Sequence, residues 1–208
     1  MNPTGTTTVV TGGVALLERA MAYTLGGLLL VTPPAMTNPT PCEGWDLRAL
    51  LLHMNDSLLT LHEAIAIGHV DIDSFVDGAT EPGDPHADYG DPALDPVASL
   101  RNRACRMIGA WANAPAPRDI SIADRWLTPG IVAAAGAVEV AVHGWDVGRA
   151  CGHDRQVPAA LAEELLDLSR LFVRDADRPT RFAQRLDVSS DLDSPSDRLV
   201  AFLGRRPH

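Results

Sequence analysis

The sequence predicts an all-α protein, an antiparallel helical bundle. Three observations predict it. Apolar residues recur at spacings of three and four over long windows, which is the helical period. Strand signals are few. Prolines fall between the periodic stretches and stop them.

The elements follow in order. Residues 1–12, rich in Thr and Gly, read as a loose tail. Val14, Leu17, Met21, Thr24 and Leu28 mark a helix over Val14–Leu30, weakened at Gly26-Gly27 and closed by Pro33-Pro34. Asp46 is placed to cap the next helix. That helix, Leu47–Gly68, carries the stripe Leu47, Leu50, Leu51, Met54, Leu58, Leu61 and Ile65. Residues 71–95 hold eight acids, no base and several prolines, and read as one long acidic loop that is solvated or a lid. Asp95-Pro96 starts a third helix with Asp at the N-cap and Pro at the first turn. It reaches Ala114 with Val97, Leu100, Ala104, Met107, Ile108 and Trp111 buried. Asp119–Pro129 is irregular, with room for a short extended piece. Gly130–Ala150 is a nearly all-apolar fourth helix. A fifth begins at Pro158, and a short last one covers Ser196–Leu203. No linker or repeat divides the 208 residues, so one domain is expected.

Composition excludes several classes of function. Acids outnumber bases 27 to 17, and the net charge of −10 repels phosphate backbones, so no nucleic-acid partner is expected. All the bases are Arg. Cys42, Cys105 and Cys151 form no C-x-x-C pair and no disulfide framework, which suits a reducing compartment. The N-terminus lacks the basic start of a signal peptide. Apolar runs such as Ile131–Val138 are shorter than the roughly 20 residues of a membrane span. The expectation is a soluble cytoplasmic protein, monomer or homodimer, with no membrane partner.

The chemistry concentrates on the fourth helix. Glu139, His143 and Asp146 stand at i, i+4 and i+7, one stripe on an otherwise apolar element. A charge there must be paired or coordinated. Residues four apart have Cβ atoms about 5–6 Å apart, so Glu139 and His143 hydrogen-bond to each other, form part of a polar stripe facing water, or converge on one ion. His53, beside Met54 on the second helix, can face them across a bundle. Two imidazoles and one carboxylate are the protein ligands of a catalytic zinc site with open positions. They also suit iron, nickel or manganese. Asp146 orients a ligand as an outer acceptor, pairs with Arg149, or caps a loop. Trp45 and Trp145 read as core residues with bonded indole N–H groups. His62, His69, His86, His153 and His208 have no partner at ligand spacing. The three cysteines read as structural. Cys42 lies eleven residues before His53, about 16 Å by helical rise.

The stretch Thr40-Pro41-Cys42-Glu43-Gly44-Trp45-Asp46-Leu47-Arg48, followed by His53, resembles the T-P-C-x-G-W…H signature of the mycothiol-dependent maleylpyruvate isomerase N-terminal domain, in the wider DinB-like superfamily. Glu139-Val140-Ala141-Val142-His143-Gly144-Trp145-Asp146 is similar to the family's E-x-x-x-H-G-W-D-L segment. Asp197–Arg205 resembles the tail of its single-domain branch. The resemblance implies an up-down four-helix core with additional short C-terminal helices. It also implies a divalent metal, usually zinc, on His53, Glu139 and His143, whose open positions activate a low-molecular-weight thiol such as mycothiol or bacillithiol. The founding isomerase has a second, C-terminal domain in its active site. This chain ends where that domain would begin, so the resemblance does not extend to isomerising maleylpyruvate itself.

The leading expectation is a metal-dependent thiol transferase or isomerase whose partners are a thiol and a small electrophile. One alternative is a thiol-independent metal-dependent hydrolase, lyase or cyclase. The other is a non-catalytic metal-binding protein. Structural zinc prefers four protein ligands, and only three are found, which weighs against the last.

Overall fold

The protein is described from a computed structural model covering residues 3–70, 91–113, 119–122, 125–178, 182–187 and 194–207, with side chains from Gly12 onward. It is an all-α fold. Helices α1 (Pro3–Gly27), α2 (Leu47–Ile67), α3 (Pro96–Ala112), α4 (Pro129–Ala150), α5 (Ala159–Phe172) and α6 (Pro195–Phe202) account for most of it. Three short strands, β1 (His69–Val70), β2 (Ile120–Ile122) and β3 (Arg125–Leu127), and short 3-10 turns at Leu28–Leu30, Pro33–Thr37 and Asp175–Asp177 are the other regular elements among the described residues.

Each predicted helix is present with shifted ends. Helix α1 starts at Pro3, inside the stretch read as a loose tail. Thr is a poor helix former, but only by tenths of a kcal/mol per residue, so a helix nucleated downstream extends back through it. At the other end α1 stops at Gly27, and Leu28–Leu30 tighten into a 3-10 turn. Most of the acidic loop, residues 71–90, lies outside the described residues. Both capping residues act as their chemistry requires. Asp46 Oδ1 accepts from the Ala49 N–H at 2.8 Å, and Asp95 Oδ1 accepts from the Ala98 N–H at 2.9 Å. The extended piece expected between Asp119 and Pro129 is a hairpin. It pairs Ile120 with Leu127 and Ile122 with Arg125, and β1 adds in parallel with Val70 against Ile122.

The chain divides into two compact units, and α1, α2 and α4 each contribute to both. The first comprises 1–18 and 51–136. Its core takes Leu51, Met54, Leu58 and Leu61 from α2 and Leu100, Met107 and Trp111 from α3, all buried. Three polar contacts fix α2 against α3. Trp111 Nε1 donates to the Leu61 carbonyl at 3.2 Å, Arg103 Nη1 to the Asn55 carbonyl at 2.9 Å, and Asn55 Nδ2 to the Pro96 carbonyl at 2.9 Å.

The second unit comprises 19–50 and 137–208. Helix α4 lies deep in it, with Val140, Ala141, Trp145, Val147 and Ala150 all buried. Thr24 Oγ1 donates to the Val140 carbonyl at 2.8 Å. Opposite it stands Gly144, where any Cβ would run into the Thr24 side chain. Gly26 has a similar cause: a Cβ there would lie 2.8 Å from Arg155 Nη2, and that guanidinium stacks 4.0 Å over the Tyr23 ring. Asn38 Nδ2 donates to the Ala150 carbonyl at 2.9 Å, tying the loop before α2 to the end of α4. Helix α6 opens with a reciprocal cap between Ser194 and Asp197.

Two helical stretches, Gly12–Leu30 and Pro129–Ala150, have the length and apolar content of a membrane span. They are longer than the apolar runs counted in the sequence, because Gly, Thr and a few polar residues do not interrupt the helices. The Pro129–Ala150 window is 78% buried within the protein, and it carries Glu139, His143 and Asp146, so α4 has the character of a core helix.

Candidate metal centre

The second unit gathers five polar side chains around the middle of α4. Glu139, His143 and Asp146 come from α4 itself, Cys42 from the loop before α2, and Arg205 from the residues after α6. The α4 stripe delivers the first three because residues three and four apart share a helix face.

His143 is the hub. Its Nδ1 lies 2.9 Å from Asp146 Oδ2 and its Nε2 lies 3.2 Å from Glu139 Oε1. An ionised carboxylate only accepts hydrogen bonds, so Nδ1 carries a proton that it donates to Asp146. Nε2 faces the Glu139 carboxylate and carries a proton when the ring is charged; once that proton is lost, Nε2 is the nitrogen whose lone pair can bind an ion. Burial disfavours the charged ring. The charge of Glu139 and the hydrogen bonds with Asp146, Cys42 and Glu139 outweigh burial and raise the His143 pKa well above its ordinary 6.5.

The Nδ1 side is already neutralised. Asp146 is fully buried. Burial would raise its pKa, but the adjacent Arg205 charge, the His143 bond and the His143 charge bring it below 3.8. Arg205 Nη2 lies 3.0 Å from Asp146 Oδ2 and 3.4 Å from Cys42 Sγ. Cys42, His143 and Asp146 are a set that donor chemistry alone would offer to a metal. A guanidinium in contact with two of the three occupies the cation's place there. The Nε2–Glu139 side offers an imidazole and a carboxylate, and those donors fit zinc and its divalent neighbours.

Several expectations are corrected here. Cys42, read as structural and about 16 Å from His53 by helical rise, has its Sγ 3.4 Å from Asp146 Oδ2 and 3.9 Å from His143 Nδ1, a pairing the sequence does not suggest. Residues 38–46 are no helix. They fold back, with Thr40 N–H donating to the Trp45 carbonyl at 3.0 Å and Gly44 turning at φ 79°. Trp45 is 36% exposed on that loop, not a core residue. Trp145 is buried as expected, but its indole N–H has no hydrogen-bond partner among the described residues. Asp146 does not pair with Arg149, which lies instead 3.5 Å from Asp154. Arg205, read only as part of the family-like tail segment Asp197–Arg205, is brought to the site as well.

His53 stands on α2 beside buried Met54, half-buried, in the other unit. His62 is half-buried, while His69 and His153 are exposed. His86 and His208 lie outside the described residues. Cys105 is exposed, and Cys151 is half-buried with its thiol pKa raised by burial.

Comparison with curated proteins gives no match, and comparison with solved structures gives none. The sequence profile of the mycothiol maleylpyruvate isomerase N-terminal domain matches residues 17–148. That span holds Thr40–His53 and Glu139–Asp146, the two motif segments, and excludes Arg205. The matched span is more than half of the chain, which therefore belongs to the mycothiol maleylpyruvate isomerase N-terminal domain family.

Proposed function

We propose that the protein is a metal-dependent thiol transferase or isomerase, with His53, Glu139 and His143 holding one divalent ion, zinc by donor type. One observation carries the metal reading: Asp146 takes Nδ1 of His143, which leaves Nε2 toward Glu139. A carboxylate behind a ligating histidine fixes the ring's tautomer and direction. His53 and Glu139 each offer one further donor atom of the right kind. The ion would supply Lewis acidity, so that a low-molecular-weight thiol such as mycothiol is deprotonated near neutral pH.

The chain's own residues have separate tasks in this reading. Glu139, half-exposed, contributes negative charge at the edge of the site. His143, almost fully buried, presents Nε2 from a fixed ring. Asp146 holds that ring by accepting the hydrogen bond from His143 Nδ1. Cys42 lies on the Nδ1 side, against Arg205 and Asp146, so the reacting thiol comes from outside the chain. All three cysteines are free, as a reducing cytoplasm would keep them. The partners are then a thiol and a small electrophile, and no nucleic acid.

The test is metal analysis of protein purified without added metal, followed by mass spectrometry after incubation with mycothiol and a test electrophile. Bound metal with a thiol adduct on the electrophile is the expected result. Turnover that proceeds without thiol would move the assignment to water activation by the metal. Bound metal with no turnover would leave a binding protein.

A further inference from the structure

We propose that Arg205 is a positioning residue for His143, acting through Asp146. Its guanidinium fixes the carboxylate that holds the imidazole, so that Nε2 stays directed at the ion site. The inference rests on the reading of His143 as a metal ligand. Arg205 lies beyond the residues that the family profile covers.

The geometry is that of a fork on a carboxylate. Arg205 Nε lies 3.3 Å from Oδ1 and from Oδ2 of Asp146, and Nη2 lies 3.0 Å from Oδ2. The guanidinium is itself anchored, since Nη1 donates to the Leu203 carbonyl at 3.0 Å and Nη2 to Cys42 Sγ at 3.4 Å. Both partners are inside the protein, with side-chain exposures of 14% for Arg205 and 0% for Asp146. The terminal torsion of an Asp is broad and roughly two-fold. Contacts on both oxygens remove that freedom, and Oδ2 is held where His143 Nδ1 reaches it at 2.9 Å. The fork is specific to Arg: a Lys keeps the charge but presents one ammonium point.

Two consequences of losing Arg205 oppose each other, and this makes the inference testable by sign. Arg205 is a cation near a cation site, so removing its charge favours a metal ion. It also orients the outer carboxylate, and losing such a partner costs about 10–100-fold in metal affinity. If orientation dominates, Arg205→Lys, at constant charge, weakens the site about tenfold, and Arg205→Met weakens it at least as much. If charge dominates, Arg205→Met tightens it.

The experiment is Zn2+ competition against a chromophoric chelator on the full-length protein, with melting of each metal-free variant to establish that it folds. Weaker Zn2+ binding by both Arg205 variants is expected, with no further loss when Arg205→Lys is added to Asp146→Asn. In zinc-loaded wild type the His143 Nδ1 proton should give a slowly exchanging NMR signal, and Arg205→Lys should lose it. A role in holding the tail alone predicts a lower melting point with wild-type Zn2+ affinity. That outcome, tighter binding by Arg205→Met, or an undiminished Arg205→Lys effect in the Asp146→Asn background would each overturn the inference. Should Arg205→Lys fail to fold, Arg205→Met and its sign carry the test. Wild type that takes up Zn2+ while both variants match it refutes the positioning role alone. Wild type that takes up none refutes the metal reading and this inference with it.

Discussion

The thiol of Cys42 donates to Oδ2 of Asp146 across 3.4 Å, although 104 positions separate the two in the chain. The contact ties the loop before α2 to α4 on the Nδ1 side of His143. It makes Cys42 a member of the hydrogen-bond network behind the proposed ligand, on the side away from Nε2.

From this contact follows the behaviour of cysteine variants. Cys42→Ser keeps a donor and an acceptor, so thiol transfer should persist in that variant. Cys42→Ala removes the donor to a buried carboxylate and should lower stability by about 1–3 kcal/mol. Denaturant melts and a mycothiol-transfer assay check both. A folded Cys42→Ser protein without transfer activity would make Cys42 a nucleophile, against the account.

The ligand variants should separate by chemistry. His53→Ala and His143→Ala each remove an imidazole and should abolish metal binding. Glu139→Gln keeps an oxygen but loses the charge, so affinity should fall without vanishing. Metal bound only to the folded state adds about 2.7 kcal/mol at a hundredfold excess over Kd. A chelator should therefore lower the melting point of wild type and leave that of His143→Ala unchanged. Wild-type metal content in all three variants would contradict the assignment.

The pH dependence follows from two opposite shifts. His143, raised above 6.5, stabilises the metal-free protein below 6.5, and that contribution is lost as pH rises through the folded value. Asp146, lowered from 3.8, contributes above 3.8 and is lost as pH falls through its folded value. The metal-free protein should melt highest between these limits. A metal on Nε2 must displace the His143 proton, so Zn2+ affinity should climb with pH. Calorimetry in two buffers of different ionisation heat should show proton release. Uptake without proton release would place the ion elsewhere.

Gly144→Ala tests the close approach of α1 to α4. Its Cβ would press on Thr24, whose Oγ1 bonds the Val140 carbonyl. Overpacking of this kind costs about 1–3 kcal/mol, readable as a lower urea midpoint at unchanged m-value. A variant as stable as wild type would show that Thr24 yields freely.

Local chemistry was legible in the sequence, and long-range return was not. Asp46 and Asp95 announce their helices because capping depends on the next three residues. Glu139, His143 and Asp146 announce a shared face because helical period does. Cys42 is not found from the sequence because 104 positions separate it from Asp146, and residues 38–46 turn back on themselves to reach it. Arg205 escaped because 59 positions separate it from Asp146, and no spacing rule connects a chain end to a buried carboxylate. Trp45 was misread because burial of an aromatic on a loop depends on what covers the loop.

The most direct test of the central claim is X-ray absorption at the zinc edge of the zinc-loaded protein. His53, Glu139 and His143 as ligands predict a first shell of nitrogen and oxygen at about 2.0–2.2 Å, with the outer scattering of two imidazoles. Addition of mycothiol should bring in one sulfur at about 2.3 Å. A sulfur present before any thiol is added would mean that Cys42 binds the ion on the Nδ1 side, and would contradict the account.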